Sequence, residues 1–182
     1  MIAKEDRNYR GLAGGTPAGY TRTTMPKFTC VAALDEKRGL ANDHGIPWQG
    51  KIPSDVKHFR AEIDGGIILM GYGTYIELSK PYPGRNLVAT SKTEQLRPGF
   101  ELVPDARSFL QGSTEDVWVF GGAGLFASTF DLVTDLHLTQ LEGDFDCTKF
   151  FPEFKDAFTL TSQSDPITEN GITFRFETWQ RT

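Results

Sequence analysis

Several short stretches of the chain combine residue types able to do chemistry on a small molecule. In IPWQGKIPSDVKHFR, residues 46–60, a single acid, Asp55, stands where an apolar helical pattern begins. In VWVFGGAGLF, residues 117–126, an apolar run enters Gly121, Gly122, Ala123 and Gly124 and then a second helical pattern. The stretch IILMGYGTY, residues 67–75, repeats that device with Gly71 and Gly73 ahead of Thr74. Glycines at a strand-to-helix junction let the backbone approach a ligand, and free N–H groups at the helix start favour phosphate. Two such turns in one small domain suit a ligand with several phosphates. Each is also compatible with tight packing alone, because the glycine spacing departs from the dinucleotide fingerprint. Thr74 can cap its helix or donate to a phosphate. In TSK, residues 90–92, Ser91 and Lys92 suit a further phosphate or a solvated loop. Arg85, closing the rigid PYPGR bend, can pair bidentately with a carboxylate or lie on the surface.

Asp55 has two readings. Ser54 is a good N-cap, an acid in the first turn suits the helix dipole and Pro53 ends the loop, which explains the acid without a ligand. Yet Val56, Phe59 and Ile63 follow as an apolar stripe, so the carboxylate borders the buried face. There burial raises its pKa, while hydrogen bonds from a cationic or amide-like ligand favour the charged form.

The elements that must position these residues alternate. FTCVAAL (28–34), IILM (67–70), NLVAT (86–90), VWVF (117–120) and LHLTQL (136–141) read as strands, several apolar on both faces as in a covered sheet. Residues 54–63, 74–78, 106–111 and 123–130 read as helices, and the alternation argues for α/β layering. FTLTSQS (158–164) and ITFRFETW (172–179) flank the turn-rich DPITENG and predict an antiparallel hairpin at the sheet edge.

The chain of 182 residues fits one domain, and its 38% hydrophobic and 24% charged residues are an ordinary balance for a chain that folds in water. A formal charge of −5 repels a nucleic-acid backbone. Cys30 and Cys147 make neither a disulfide framework nor a metal cluster and read as small buried hydrophobes. His44, His58 and His137 show no ligand spacing and read as surface or strand histidines, so no metal is expected. With no bilayer-length apolar run and no signal-peptide core, a cytoplasmic setting is expected. Residues 1–24, rich in Gly and Thr and poor in large aliphatics, read as a flexible N-terminal extension, leaving residues 25–182 as the domain.

The succession VAAL, LANDHGIPW, IPSDVKHFR, ILMGYGTY, PYPGR, VFGGAGLF, LHLTQL and FFP, over roughly residues 26–180, resembles the dihydrofolate reductase family. The resemblance implies a single α/β domain with a central mixed, mostly parallel, eight-stranded sheet, flanking helices and the C-terminal antiparallel hairpin. It implies NADPH as cofactor and reduction of 7,8-dihydrofolate to tetrahydrofolate, by hydride transfer from nicotinamide C4 to pterin C6 with protonation at N5. The partner is then a small-molecule substrate, with no nucleic acid or membrane, and a monomer is expected. Asp55 matches the family's pterin-binding acid and would be the only ionisable side chain at the reacting ring, with Thr139 buttressing it. Val31, Ala32, Val56, Phe59, Leu78 and Phe120 would line the pterin and benzoyl slots, and Arg85 would grip the substrate's glutamate carboxylate. LANDHGIPW resembles the mobile loop over the nicotinamide, with Leu40, Ile46 and Trp48 at its contact points. Ala33, Gly71, Tyr72, Gly73, Thr74, Ser91 and Lys92 would cradle the cofactor. So would Gly121, Gly122, Ala123, Gly124, Leu125 and Phe126.

The chain departs from the family pattern at Tyr72 and Gly124, where basic residues are usual, so preference for NADPH falls to Ser91 and Lys92. Two residues are inserted between Trp48 and Asp55, and one is missing beside Arg85. The competing readings are a pyrimidine reductase of the riboflavin pathway and a non-catalytic nucleotide-binding or assembly protein with the same fold.

Overall fold

The computed structural model describes residues 25–92 and 95–182. The extension expected over residues 1–24 lies outside them. Five strands precede the third helix or form its flank: β1 (Phe28–Leu34), β2 (Gly39–Ala41), β3 (Ile67–Gly71), β4 (Arg85–Ala89) and β5 (Phe100–Val103). Six follow: β6 (Val117–Val119), β7 (Asp135–Leu141), β8 (Lys149–Phe150), β9 (Phe158–Gln163), β10 (Ile167–Glu169) and β11 (Ile172–Arg181). The helices are α1 (Pro53–Glu62), α2 (Tyr72–Glu77), α3 (Ala106–Gly112) and α4 (Ala123–Thr129).

The main sheet runs β10-β11-β7-β1-β6-β3-β4-β5. Neighbours from β7 to β5 are parallel, whereas β11 is antiparallel to β7. The runs that are apolar on both faces are covered on both, because successive strand residues point to opposite sides. Cys30, Leu34, Leu69 and Leu87 pack with Leu110 of α3 and Leu125 and Phe126 of α4. Val31, Ile68, Met70 and Val88 pack on the other face with Phe59, Ile63 and Tyr75. Burying such a side chain contributes about 1.5–3 kcal/mol, so the two layers clamp the strand ends that carry the site. Cys30 is fully buried. Cys147 is only half-buried, so its reading as a buried hydrophobe does not hold.

The expected eight strands become nine in this sheet because one edge strand is split. Both β9 and β10 pair with β11, one beyond the other. Between them stands Pro166, which has no N–H for the ladder. Ser164 bridges the gap: its N–H donates to Phe176 O at 2.9 Å and its hydroxyl accepts from Phe176 N–H at 3.0 Å. Residues Ile167–Glu169, expected within a turn, are therefore strand, and the turn is Asn170-Gly171 with φ of 48° and 79°. Two left-handed residues in succession match the twist of a tight hairpin.

Candidate active site

The carboxyl ends of β1, β3 and β6, adjacent in the sheet, open on a cleft of about 1180 Å³. That is where open parallel sheets hold ligands. Asp55 lies in the first turn of α1, half-buried on the cleft wall. Pro53, not Ser54, opens the helix, and Ile52 holds the N-cap position without a side-chain cap. Proline suits the first helical position because its missing N–H and fixed φ cost nothing there. Ser54 is therefore inside the helix, and the expected serine cap is corrected. The acceptor comes from elsewhere: Glu169 of β10 takes the Ser54 N–H at 3.0 Å and the Ser54 hydroxyl. Next to it, the Asn170 amide donates to Lys51 O at 2.7 Å, fastening the inserted turn ahead of the helix.

Thr139 of β7 donates a hydrogen bond to the Asp55 carboxylate. Burial pushes the Asp55 pKa above the usual carboxylate range. The Thr139 hydrogen bond and the charge of His58 pull it back, while Glu169 adds to the rise. Around the acid the walls are apolar. Val31, Ala32, Val56, Phe59, Leu78 and Phe120 all line the cleft. Val56 is exposed because the helix face it occupies fronts the cleft rather than the core. The Phe59 and Phe120 rings stack, with centroids 4.5 Å apart and planes 15° apart. Tyr82 stands edge-on to both, at 5.5 Å and 5.6 Å. Tyr82 was not anticipated, although its place between Pro81 and Pro83 marks a rigidly aimed side chain. Trp48 is buried edge-on to Phe145 at 5.3 Å and, with Ala33, Leu40 and Ile46, borders the same cleft.

The two glycine turns lie side by side, Gly71 N–H donating to Gly121 O at 2.6 Å. Gly71, Tyr72, Gly73 and Thr74 line the cleft from one turn. Gly121, Gly122, Ala123, Gly124, Leu125 and Phe126 line it from the other. Gly121 has φ of 91°, and the Gly121–Gly122 peptide is cis. Nothing lies within 4 Å of where a Cβ would stand on Gly73 or Gly124, so the backbone there faces open room. Gly71 holds the N-cap of α2, which puts Thr74 inside the helix and removes the capping reading for it.

A family model described as dihydrofolate reductase matches residues 27–181. The chain belongs to the dihydrofolate reductase family. It is similar to the dihydrofolate reductase of Staphylococcus aureus, 32% identical over 128 residues, covering 70% of this chain and 79% of the relative. The type 3 dihydrofolate reductase of Salmonella typhimurium is 31% identical over 130 residues, covering 70% and 79%. The Bacillus subtilis enzyme is 29% identical over 130 residues, covering 70% and 76%.

Against the pattern of the dihydrofolate reductase family, three cationic or hydroxyl positions behave differently from expectation. Arg85 does not line the cleft. It is the first residue of β4, and its Nε and Nη2 atoms bind both oxygens of Glu101 on neighbouring β5, at 3.0, 3.1 and 2.8 Å. Arg85 therefore stands at the amino end of the strand, paired with Glu101 and away from the cleft, and the expected carboxylate grip is corrected. Replacing Arg85 by Leu should leave the substrate KM within about twofold and cost roughly 1 kcal/mol of stability or less, as for an exposed ion pair. Steady-state kinetics and thermal melts would check both, and a large KM rise would return Arg85 to the site. Ser91 and Lys92 also stand outside the cleft lining, whereas Thr90 borders it. The Lys92 ammonium lies 3.8 Å from the centroid of the Tyr72 ring, which does line the cleft. A cation thus sits at the rim beside the position where the family usually has a basic residue.

Asp55 is not the only ionisable group present. His58, Glu62 and His137 also line the cleft. Glu62 Oε1 is 2.8 Å from His137 Nδ1 and 3.5 Å from His58 Nε2. His137 is a strand residue and the His58 side chain is well exposed, as expected, but both also meet Glu62 at the cleft wall. Half of the signal was local, since Asp55, His58 and Glu62 recur at helical spacing on one face. Among the described residues no group of three or more His, Cys, Asp or Glu is arranged to hold a metal ion.

Proposed function

We propose that the chain reduces 7,8-dihydrofolate to 5,6,7,8-tetrahydrofolate with NADPH. The observation that carries this reading is Asp55, a half-buried carboxylate hydrogen-bonded to Thr139 beside the stacked rings of Phe59 and Phe120. A pterin presents its N3–H and 2-amino group as adjacent donors on one edge, and a carboxylate accepts both. Its flat faces call for apolar walls, which Val31, Ala32, Val56, Leu78 and the aromatic rings supply. NADPH bound along the glycine turns would supply the hydride that goes to pterin C6. The open room beside Gly73 and Gly124 supports a pyrophosphate lying against those turns.

In this reading Asp55 fixes and polarises the ring from the edge remote from N5, which takes its proton from water. Thr139 orients the carboxylate. Trp48, Leu40 and Ile46 cover the reacting centre, and excluding bulk water strengthens every electrostatic contact inside. Lys92, at the rim over Tyr72, answers the extra phosphate of NADPH together with Ser91. Lys92→Gln should therefore raise KM for NADPH about tenfold, the equivalent of one charged contact of about 1.4 kcal/mol, and leave KM for NADH little changed. Equal effects on the two cofactors would remove Lys92 from this role. Residues 25–182 act as one catalytic domain with residues 1–24 appended, as a cytoplasmic monomer with no nucleic-acid or membrane partner. Among the described residues no helix is long and apolar enough to cross a membrane.

The test is loss of nicotinamide absorbance when dihydrofolate is added to the purified full-length protein. Turnover with NADPH is the expected result. A protein silent with both NADPH and NADH would overturn the reading.

A further inference from the structure

Helix α2 runs along the cleft, with Tyr72, Gly73 and Thr74 lining it at one end and Leu78, just past the last turn, lining it at the other. The helix is six residues long, starts on Gly71 without a side-chain cap and has no basic residue in its last turn. So short a helix leaves its final carbonyls unpaired and depends on groups outside itself. Arg97, in the connection between β4 and β5 and outside the cleft lining, supplies them. Its Nη2 donates to Tyr75 O and its Nη1 to Leu78 O, each at 2.5 Å. A planar guanidinium presents its donors as a fixed fork, which suits two carbonyls at a helix end, where a cation also complements the dipole. The fork is itself held. Its carbon lies 4.4 Å from the centroid of the Tyr75 ring and 5.4 Å from that of Phe100, and the Arg97 N–H donates to the Tyr75 hydroxyl at 3.0 Å. The backbone behind it is a rigid bend, Arg97-Pro98-Gly99-Phe100, closed by the Phe100 N–H donating to Arg97 O at 3.2 Å. Proline presets the second position, and Gly99 has φ of 87°, the left-handed value that the third position of such a turn requires. A Cβ on Gly99 would stand 2.8 Å from Pro81 Cγ, so the turn presses on the bend that follows Leu78 and carries Tyr82. One turn thus braces the wall on both sides of Leu78.

We propose that Arg97 is a positioning residue for dihydrofolate binding: from outside the cleft it fixes the end of α2 and so sets where Leu78 stands on the substrate wall. The proposal deepens the reductase reading and rests on it. Leu78 leaves the helix with an extended backbone, φ −78° and ψ 133°, so its direction depends on where the helix stops. Without the fork the last turn frays, and the side chain loses its fixed place against the substrate. A wall contact is made alike in the ground and transition states, so its loss falls on KM rather than kcat. The cofactor end of α2 is anchored separately, by the Gly71 N–H on Gly121 O at 2.6 Å, and cofactor affinity should be spared.

The experiment measures kcat and KM for dihydrofolate and for NADPH in the full chain, with Kd for dihydrofolate from quenching of tryptophan fluorescence, Trp48 being on the cleft wall. The variants are Arg97→Met, Arg97→Lys, Leu78→Ala, and Arg97→Met combined with Leu78→Ala. Methionine keeps an apolar body over the two rings but has no donor, and lysine keeps the charge as a single point in place of the fork. Arg97→Met should raise KM and Kd for dihydrofolate about five- to tenfold, with kcat and KM for NADPH within about twofold of the wild type. Arg97→Lys should show the same split at about two- to threefold. In the Leu78→Ala background Arg97→Met should add less than about twofold, because its effect passes through the side chain already removed. A purely structural role would lower the melting temperature and leave the ratio of the two KM values unchanged. Equal changes for dihydrofolate and NADPH would overturn the proposal, and so would the full effect of Arg97→Met persisting without Leu78. The lysine variant keeps the comparison readable if the methionine one fails to fold. A wild type that neither binds nor reduces dihydrofolate would instead defeat the functional reading. Amide exchange at Leu78, whose N–H donates to Tyr75 O at 3.2 Å, should still quicken in both Arg97 variants, and unchanged exchange would overturn the clasp whatever the substrate.

Discussion

Asp55→Asn is expected to lower kcat for dihydrofolate about a hundredfold or more, while raising the melting temperature of the ligand-free protein at pH 7. The two effects share one cause. Burial, with the nearby Glu169, makes the ionised acid less favourable in the fold than in the unfolded chain. A carboxyl whose folded pKa is raised contributes stability below its unfolded pKa, and that contribution is lost as pH rises through the folded value. At neutral pH the wild type is therefore on the unfavourable side, and a neutral amide that keeps the Thr139 contact relieves it. Below the ordinary carboxylate range, about pH 4 and lower, Asp55 is protonated in both states and the advantage of the amide should vanish. Catalysis responds in the opposite sense, because an amide cannot accept from both pterin donors with a full charge. Melts at pH 7 and pH 3 with steady-state turnover are sufficient to check this. Undiminished turnover, or a variant less stable than the wild type at pH 7, would remove Asp55 from the role given to it.

Gly121→Ala is expected to disable the cofactor side of the cleft. The position has φ of 91°, where an L side chain is strained, and an added Cβ would meet the Phe126 ring at 3.1 Å. Backbone strain of this kind is worth about 1–3 kcal/mol. Relief by rotating the strand end would carry Gly122 and the start of α4 with it, so KM for NADPH should rise by roughly tenfold or more, since each 1.4 kcal/mol of lost binding is tenfold. In the ligand-free protein Gly124→Ala supplies the contrast: it is helical, has nothing within 4 Å of the added atom, and its folding stability should stay within about 0.5 kcal/mol of the wild type. If both alanines behaved alike, the close approach at Gly121 would not be what shapes this turn.

Long apolar runs made the sheet legible in advance, because a strand covered on both sides is apolar on both, as β3 is and as β1 is apart from Thr29. Strands of two or three residues such as β8 and β10 leave no such trace, and β10 was hidden in a stretch whose Pro166 and Asn170-Gly171 read as turn. Within the cleft, positions fixed by a local pattern were visible: Asp55 at a helix start, and the glycines at two strand ends. Arg85 failed because its partner depends on how β4 and β5 align, which sets Glu101 of β5 beside the arginine at the start of β4. The His58 network was half visible, but His137 lies 75 residues beyond Glu62 and meets it only through the parallel pairing of β7 with β1.

The hairpin tip that fastens α1 also has a meaning in time. Glu169 lies 115 residues downstream of Ser54, and Asn170 is 119 beyond Lys51. A ribosome makes chain from the amino end, so the helix bearing the acid emerges long before the groups that anchor it. A nascent chain can assemble β1, β6, β3 and β4 yet lack both β7 and the hairpin that fix the pocket wall. Ligand can then stabilise only a finished polypeptide, and dihydrofolate or an analogue becomes a reporter of completed synthesis rather than an aid to early folding.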